Sequence, residues 1–325
     1  MTKLETNTMP SIDNPSFDYS IVIPVYFNEG SLKTTFEALL EEVFRKNPGR
    51  SGEVIFVDDG SRDGSLLELH GLRDKNPGIV KIIKFTRNFG QVNAILAGFA
   101  HATGKCVVVL SADGQDPPSL INDMLKAHFE ESYEIVLCAR EGRDEPAYRI
   151  VTSKIFYALM RKLSFANMPL GGFDYFLLGR KALDTLSRNQ EAHGFLQGQI
   201  LWTGYNIKFL HYERRNRKVG TSRWTFGKKL TYLIDGVMSY SFVPIRLISI
   251  IGGLVALAGF LYAILLIALW LVRGHPVQGW TAIMVLVLLL SGTQLLMLGV
   301  IGEYVWRTLA QSRNRDPYVI DKVYS

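Results

Sequence analysis

The segment VLSADGQDPP, Val109 to Pro118, carries an apolar run into two carboxylates and then two prolines. Proline fixes φ and lacks an N–H donor, so strand and helix both stop here. Asp113 and Asp116 are left in a loop just past a strand end. A second pair, Asp58 and Asp59 in VDDGSRDGS, ends another apolar run. Carboxylates at such ends can accept hydrogen bonds from hydroxyls or a base edge, although D-D-G-S also suits a plain turn or helix cap. Arg87 in TRNFGQ stands where a helix begins, and an arginine beside a helix N-terminus suits phosphate. The densest basic run is ERRNRKVGTSRW, Glu213 to Trp224. Read alone it fits an RNA-binding patch or a solvated loop. Its place just before a long apolar stretch argues for lipid headgroups or phosphates and against nucleic acid. There is no G-x-G-x-x-G after the first strand and no G-x-x-x-x-G-K-[ST], which argues against a kinase, a P-loop ATPase or a dinucleotide oxidoreductase.

The elements that must position these residues alternate. Strands are predicted at SIVIPVY, EVIFVDD, IVKIIKF, CVVVLSA and EIVLCAR, and amphipathic helices stand between them. The strands are near-continuous apolar runs, as in a parallel sheet covered on both faces. Repeated βαβ units predict a doubly wound sheet whose ligands bind at the carboxyl ends of its strands. Asp58, Asp59 and Asp113 fall at those ends. Cys106 and Cys138 are the two cysteines, each inside an apolar run; they read as buried small side chains, with no disulfide or zinc pattern.

Of the 325 residues, Leu247 to Val272 hold no charge, and neither do Trp280 to Gly302. Each run meets the length of roughly 20 apolar residues that spans a bilayer, so a transmembrane hairpin is predicted over a pair of buried core helices. Lys228, Lys229 and Arg246 precede the first span, and Arg307, Arg313, Arg315 and Lys322 follow the second, while the linker holds only Arg273. By the positive-inside rule the N-terminal domain and both termini face the cytoplasm. The polar N-terminus lacks the apolar core of a signal peptide. A net charge of +6 fits a protein resting on anionic lipid and handling phosphates. Tyr148 to Phe165 reads as a basic amphipathic helix, either interfacial or core-packing, and KKLTYLIDGVMSYSF as an interfacial one. Gly252, Ala256 and Gly259 could pack span on span within one chain or between copies in a homo-oligomer.

IVIPVY, VDDGSRDGS, TRNFGQ, SADGQDPP, the Arg217 to Trp224 segment and the two spans together resemble the family-2 glycosyltransferases of GT-A fold. More narrowly they resemble the polyprenyl-phosphate glycosyltransferases, which include dolichol-phosphate mannose synthases and, nearest by the two-span tail, bactoprenol glucosyltransferases. The resemblance covers roughly residues 19 to 320. It implies an α/β GT-A domain with a mostly parallel doubly wound sheet at 18–224, after a tail at 1–17. A juxtamembrane helix at 225–243, two spans near 246–272 and 279–302 within 244–303, and a cytoplasmic tail at 304–325 would follow. The implied activity is inverting transfer of a hexose, glucose from UDP-glucose, to a polyprenyl phosphate such as undecaprenyl phosphate at the cytoplasmic face of a bacterial inner membrane. Mannose from GDP-mannose, or a modified UDP-sugar, is the alternative. A processive polysaccharide synthase would carry Q-x-x-R-W and more spans, and two spans make a poor flippase. A nucleotide-sugar-sensing membrane anchor is the non-enzymatic rival.

The resemblance also implies roles. Asp58, Asp59, Arg87, Pro24, Tyr26 and Glu29 would line the nucleotide-sugar site. Relatives often read P-V-Y-N-E where this chain reads P-V-Y-F-N-E, so Asn28 falls at the usual Glu position and Tyr26 keeps its own. Relatives read D-A-D-x-Q-D-P-P where this chain has SADGQDPP. Asp113 and Gln115 match the metal-contacting positions for Mg²⁺ or Mn²⁺ on the donor pyrophosphate. Asp116 matches the following, catalytic acid, and Ser111 replaces the first acid, which bears on metal affinity. Arg217, Ser222 and Trp224, with Gly220 and Arg223, match a segment that closes over the donor. Asp174 in LGGFDYFLLGR falls near the acceptor, where it could act as a base, orient the acceptor or balance arginines; Phe176 replaces an arginine of relatives. Arg140, then Arg149 and Ser153 spaced by four, match the acceptor-phosphate positions.

Overall fold

The computed structural model describes residues 16–140, 158, 161, 167–169, 172–188, 195–213, 243–273, 279–313 and 315–325. The first half follows the predicted alternation: β1 Phe17–Val25, α1 Leu32–Leu39, β2 Gly52–Asp58, α2 Ser65–Lys75, β3 Val80–Phe85, α3 Gln91–His101, β4 Gly104–Val109, α4 Leu120–Phe129 and β5 Ile135–Arg140. A single π-helical turn, Leu40–Phe44, extends α1. Then come β6 Tyr175–Gly179, α5 Arg180–Arg188, α6 Leu196–Trp202, β7 Ile207–Tyr212, two long helices α7 Val243–Arg273 and α8 Trp280–Ser312, and β8 Ile320–Tyr324.

The strands form one eight-stranded sheet in the order β7-β5-β6-β4-β1-β2-β3-β8. β1 lies parallel to both β2 and β4, β2 parallel to β3, and β5 parallel to β7. β6 runs antiparallel between β4 and β5, and β8 antiparallel along β3. Six strands therefore point one way, which is the mostly parallel α/β sheet predicted, with two reversed strands added.

Burial explains the apolar runs. Along β1, Ile21, Ile23 and Val25 pack with Phe36, Leu39 and Leu69 on one face of the sheet. Val22 packs with Ile95, Phe99 and Val107 on the other. With helices on both faces there is no polar side for a strand to show, and every residue of β2 is buried. Close packing of α3 on β1 needs a residue without a side chain at Gly98, where a Cβ would meet Val22. Cys106 and Cys138 are both buried and free, as expected.

α7 and α8 are long and apolar enough to cross a membrane, over Ile245–Leu269 and Leu289–Ser312. Their apolar side chains face outward, with Leu254, Phe260 and Leu295 each more than half exposed. Such a surface requires lipid or a partner. Gly252 of α7 meets Met297 of α8, so this small residue serves packing within the chain. α8 runs on to Ser312, past the expected end of the second span. The residues assigned to a C-terminal tail include β8, which closes the sheet edge beside β3. The amphipathic segments at 148–165 and 225–243 lie almost wholly outside the described residues.

Candidate active site

The carboxyl ends of β1, β2, β4 and β5 meet at one rim of the sheet, because these strands are co-directional. The β1–β2 register sets Val25 opposite Asp58. Asp58 is fully buried. Its Oδ1 accepts the Ser61 N–H at 3.1 Å, while Oδ2 has no partner among the described residues. Burial pushes its carboxyl above the usual range, against the Ser61 donors that favour the charge. Asp59 is used differently. Its two oxygens accept the N–H groups of Phe89 at 2.6 Å and Gly90 at 2.9 Å, at the start of α3. Burial pushes its carboxyl up to about 6, opposed by those two donors. The two loops touch along their main chains: a Cβ on Gly60, at φ +72°, would meet Arg87. Arg87 is exposed at this corner and lies over the Phe89 ring at 4.1 Å.

After β1 the chain turns sharply. Tyr26 N–H donates to Asn28 Oδ1 at 2.9 Å. Phe27, the residue by which this segment departs from P-V-Y-N-E, takes a left-handed φ of +56°, a conformation that disfavours a bulky side chain. Pro24 lies within β1 opposite Val57. Glu29 faces the backbone of the β2–α2 loop: its Oε2 accepts the Gly64 N–H at 2.9 Å. Asn28, at the usual Glu position, donates its N–H to Ser65 Oγ at 2.9 Å.

The loop after β4 is clamped from several sides. Ser31 Oγ donates to the Ala112 carbonyl at 2.9 Å. Asp113, nearly buried, accepts the Gln115 N–H on Oδ1 at 3.1 Å, which folds Asp113 and Gln115 into one turn. Ser111 is half-buried. Asp116 is buried, and its Oδ1 accepts the Tyr212 hydroxyl at 2.6 Å. Burial first, then the charge of Asp116, push the Tyr212 hydroxyl above its ordinary range, so it remains a donor. Tyr175 Oη donates to the Pro117 carbonyl at 3.0 Å.

Arg140 ends β5 opposite Tyr212 of β7. Its Nη2 pairs with Asp174 Oδ2 at 2.7 Å, and its Nε donates to Tyr212 Oη at 3.4 Å. Burial works against the Arg140 charge; Asp174, Tyr212 and Asp116 more than offset this and raise its pKa. Gln197 Nε2 donates to Asp174 Oδ1 at 3.1 Å and to the Phe173 carbonyl at 2.5 Å. Asp174 is thus held by an arginine and an amide while remaining half exposed. Of the residues singled out by motif, Asp59 holds the turn after Arg87, Asp113 and Gln115 share the loop of Asp116, and Asp116 meets the Arg140–Asp174 pair through Tyr212. Tyr212 and Gln197 were not among them; they lie in IKFLHY and FLQGQILW with no motif around them. Arg149, Ser153, Arg217, Ser222 and Trp224 lie outside the described residues.

A rim of this kind presents carboxylates for a cation or hydroxyls, an exposed arginine at a helix start, and a buried ion-paired arginine beside an acid. Residues 20–187 match the model of glycosyl transferase family 2. An uncharacterized glycosyltransferase of Bacillus subtilis is 37% identical over 309 residues, covering 94% of each chain. An SfII prophage-derived bactoprenol glucosyl transferase of Shigella flexneri is 31% identical over 304 residues, covering 93% of this chain and 97% of that one. Among solved structures, a mannosyltransferase of Pyrobaculum calidifontis, in complex with GDP-Man and Mn²⁺, is 17% identical. It covers 70% of this chain and 65% of its own, with a TM-score of 0.49.

Proposed function

The chain belongs to glycosyl transferase family 2, and from that premise we propose that it moves a hexose, glucose from UDP-glucose, onto a polyprenyl phosphate at a membrane face, with inversion. The observation that carries this reading is the joining of two sites at one rim. Asp113 and Asp116 lie in the loop after β4, and Arg140, paired with Asp174 at 2.7 Å, lies beside them through Tyr212. Two helices on the same chain, long and apolar enough to cross a membrane, support a lipid acceptor. The relatives named bactoprenol glucosyl transferases, at about 30% identity over most of the chain, support the same acceptor class.

The donor set suits a hard cation. Asp113 and Gln115 offer oxygen ligands, and no group of three His, Cys, Asp or Glu gathers among the described residues. Mg²⁺ and Mn²⁺ accept such a sparse set, because they keep water and fill their shell with substrate phosphate. Asp113 and Gln115 would hold the ion, which when bound would neutralise the donor pyrophosphate. Asp58 keeps one oxygen for the ribose or base, and Asp59 fixes the Phe89–Gly90 turn that sets Arg87 at the phosphate end. Arg140 binds the acceptor phosphate, a fork that matches a phosphate dianion. That phosphate has its second pKa near ~6 and is mostly ionised already. One of its oxygens attacks the anomeric carbon from the face opposite the nucleotide, and the bond to the leaving diphosphate breaks with its electron pair. Little deprotonation is required, so the Arg140–Asp174 pair supports the charge-balancing and orienting role of Asp174. The resemblance adds Arg149 and Ser153 to the acceptor side and Arg217, Ser222 and Trp224 to the donor side; all five lie outside the described residues.

The test is incubation of purified full-length protein with undecaprenyl phosphate, Mn²⁺ or Mg²⁺, and a panel of nucleotide sugars. Lipid-linked glucose and free UDP are expected from UDP-glucose. Release from GDP-mannose alone would reassign the donor. Tight donor binding without nucleotide release in the presence of lipid would mark a sensor and overturn the enzymatic reading.

A further inference from the structure

Tyr212 stands between the two halves of the proposed site, and no motif pointed to it. Its hydroxyl donates to Asp116 Oδ1 at 2.6 Å and receives Arg140 Nε at 3.4 Å. Its partners come from distant parts of the chain: Asp116 from the loop after β4, Arg140 from the end of β5. The β5–β7 register sets Tyr212 beside Arg140, so the contact is built into the sheet itself. The ring is held edge-on against Tyr175 at 5.9 Å and 86°, and Tyr175 in turn bonds the Pro117 carbonyl. A phenylalanine would fill the same space. The hydroxyl is what links the acid loop to the arginine, and in a nearly dry setting a donor lost from a carboxylate is costly.

We infer that Tyr212 is a positioning residue for transfer: its hydroxyl fixes Asp116 and Arg140 relative to each other, and so sets the acceptor phosphate against the donor's anomeric carbon. The inference rests on the proposed function. It predicts a selective defect. Asp113 and Gln115 are folded together by their own turn at 3.1 Å and do not need Tyr212, so donor binding survives its loss. Arg140 and Asp116 lose their common point, so the reacting groups drift, and a misplacement of about 1 Å can cost on the order of a hundredfold in rate.

The experiment compares wild type and Tyr212→Phe as full-length proteins in nanodiscs. It measures kcat and the acceptor KM with undecaprenyl phosphate, and the Kd for UDP-glucose with Mn²⁺ by calorimetry. The expected result is a kcat lowered at least about tenfold and a raised acceptor KM, with donor Kd within about twofold and the fold retained by circular dichroism. If that variant fails to fold, Tyr212→Met, which also lacks the hydroxyl and can refill the space, is read in the same way. Kinetics within about twofold of wild type overturn the inference while leaving the glycosyltransferase reading intact. Donor affinity lost in parallel with kcat also overturns it, since that marks general loosening of the loop. Wild-type protein that transfers no hexose from any donor to the lipid overturns the functional reading and the inference with it.

Discussion

Asp58 and Asp59 sit side by side at the end of β2, yet only Asp59 has both oxygens committed to backbone donors. Burial raises both carboxyls, Asp59 to about 6 from an ordinary value of 3.8. An acid whose folded pKa is raised binds more protons folded than unfolded between those two values. Its contribution is therefore greatest at low pH and is lost as pH rises through the window from about 4 to about 6. A shift of that size corresponds to a loss on the order of 3 kcal/mol. Asp18, whose carboxyl is lowered by Lys105, acts in the opposite sense and below that window. The wild-type melting temperature, followed from pH 4 to pH 7, should show a descending component that Asp59→Asn removes. The amide can accept only one of the two N–H bonds cleanly, so the same variant should weaken donor affinity several-fold by loosening the Phe89–Gly90 turn. A slope identical in both proteins would show that Asp59 titrates as an ordinary exposed acid.

Among the elements, β8 is the one that changes the picture of the donor side. Its ladder on β3 is reinforced by Lys84–Asp321 at 2.5 Å, by the Thr86 N–H to Val319 carbonyl bond at 3.1 Å, and by Tyr324 against His70 at 4.5 Å. The ion pair is partly exposed, so water screens it and it adds little. The aromatic contacts matter more. Tyr318 stacks on Phe85 at 5.1 Å and 12°, and Phe85 meets Phe89 edge-on at 5.7 Å. Phe89 is the residue whose N–H Asp59 holds. A residue arriving from beyond the second apolar helix thus supports the Phe89–Gly90 turn, the proposed donor turn, from behind. Tyr318→Ala should lower stability by roughly 2–3 kcal/mol and raise the donor KM about three- to tenfold, with the acceptor KM unchanged. Thermal melts and two-substrate kinetics read both. None of this was legible in sequence. The five interior strands were, because burial on both faces turns them into continuous apolar runs. β7 shows residues half-exposed, and β8 is five residues with Asp321 and Lys322 inside, the composition of an edge strand that discourages further pairing. β6 was hidden because FDYFLLG reads first as a site motif. At the rim, acids and arginines at strand ends were readable by type. Tyr212 was not, since its partners lie 96 and 72 positions away and no local pattern records such contacts.

At the scale of the whole molecule, the helical pair is joined to the two outermost strands of the sheet. β7 precedes α7 and forms one edge; β8 follows α8 and forms the other. The sheet is therefore joined to the α7–α8 pair at both edges, with Arg140 one strand in from one edge and the Asp59 turn near the other. The return connection is short. Seven residues, Arg313 to Val319, separate α8 from β8, and a chain of that length reaches at most about 25 Å when fully extended. With α8 in a bilayer, the β3 edge cannot leave the C-terminal end of α8 by more than that reach. On the proposed function, such a tether would limit how far the rim can roll away from an acceptor phosphate at the headgroup level and would raise the effective concentration of one substrate at the other. Lengthening the connection by about 15 Gly/Ser residues after Arg315 roughly triples its contour. This should leave donor affinity and the fold unchanged, because β8 still pairs with β3. Transfer to undecaprenyl phosphate in a bilayer should fall several-fold, as the rim spends less time facing the membrane. Transfer to a short, water-soluble prenyl phosphate, which diffuses to the site from solution, should not fall. Equal losses with both acceptors would mean that the insertion had damaged β8 and the donor turn instead of the tether. Equal activity with both would mean that the connection through α7 alone holds the rim at the membrane.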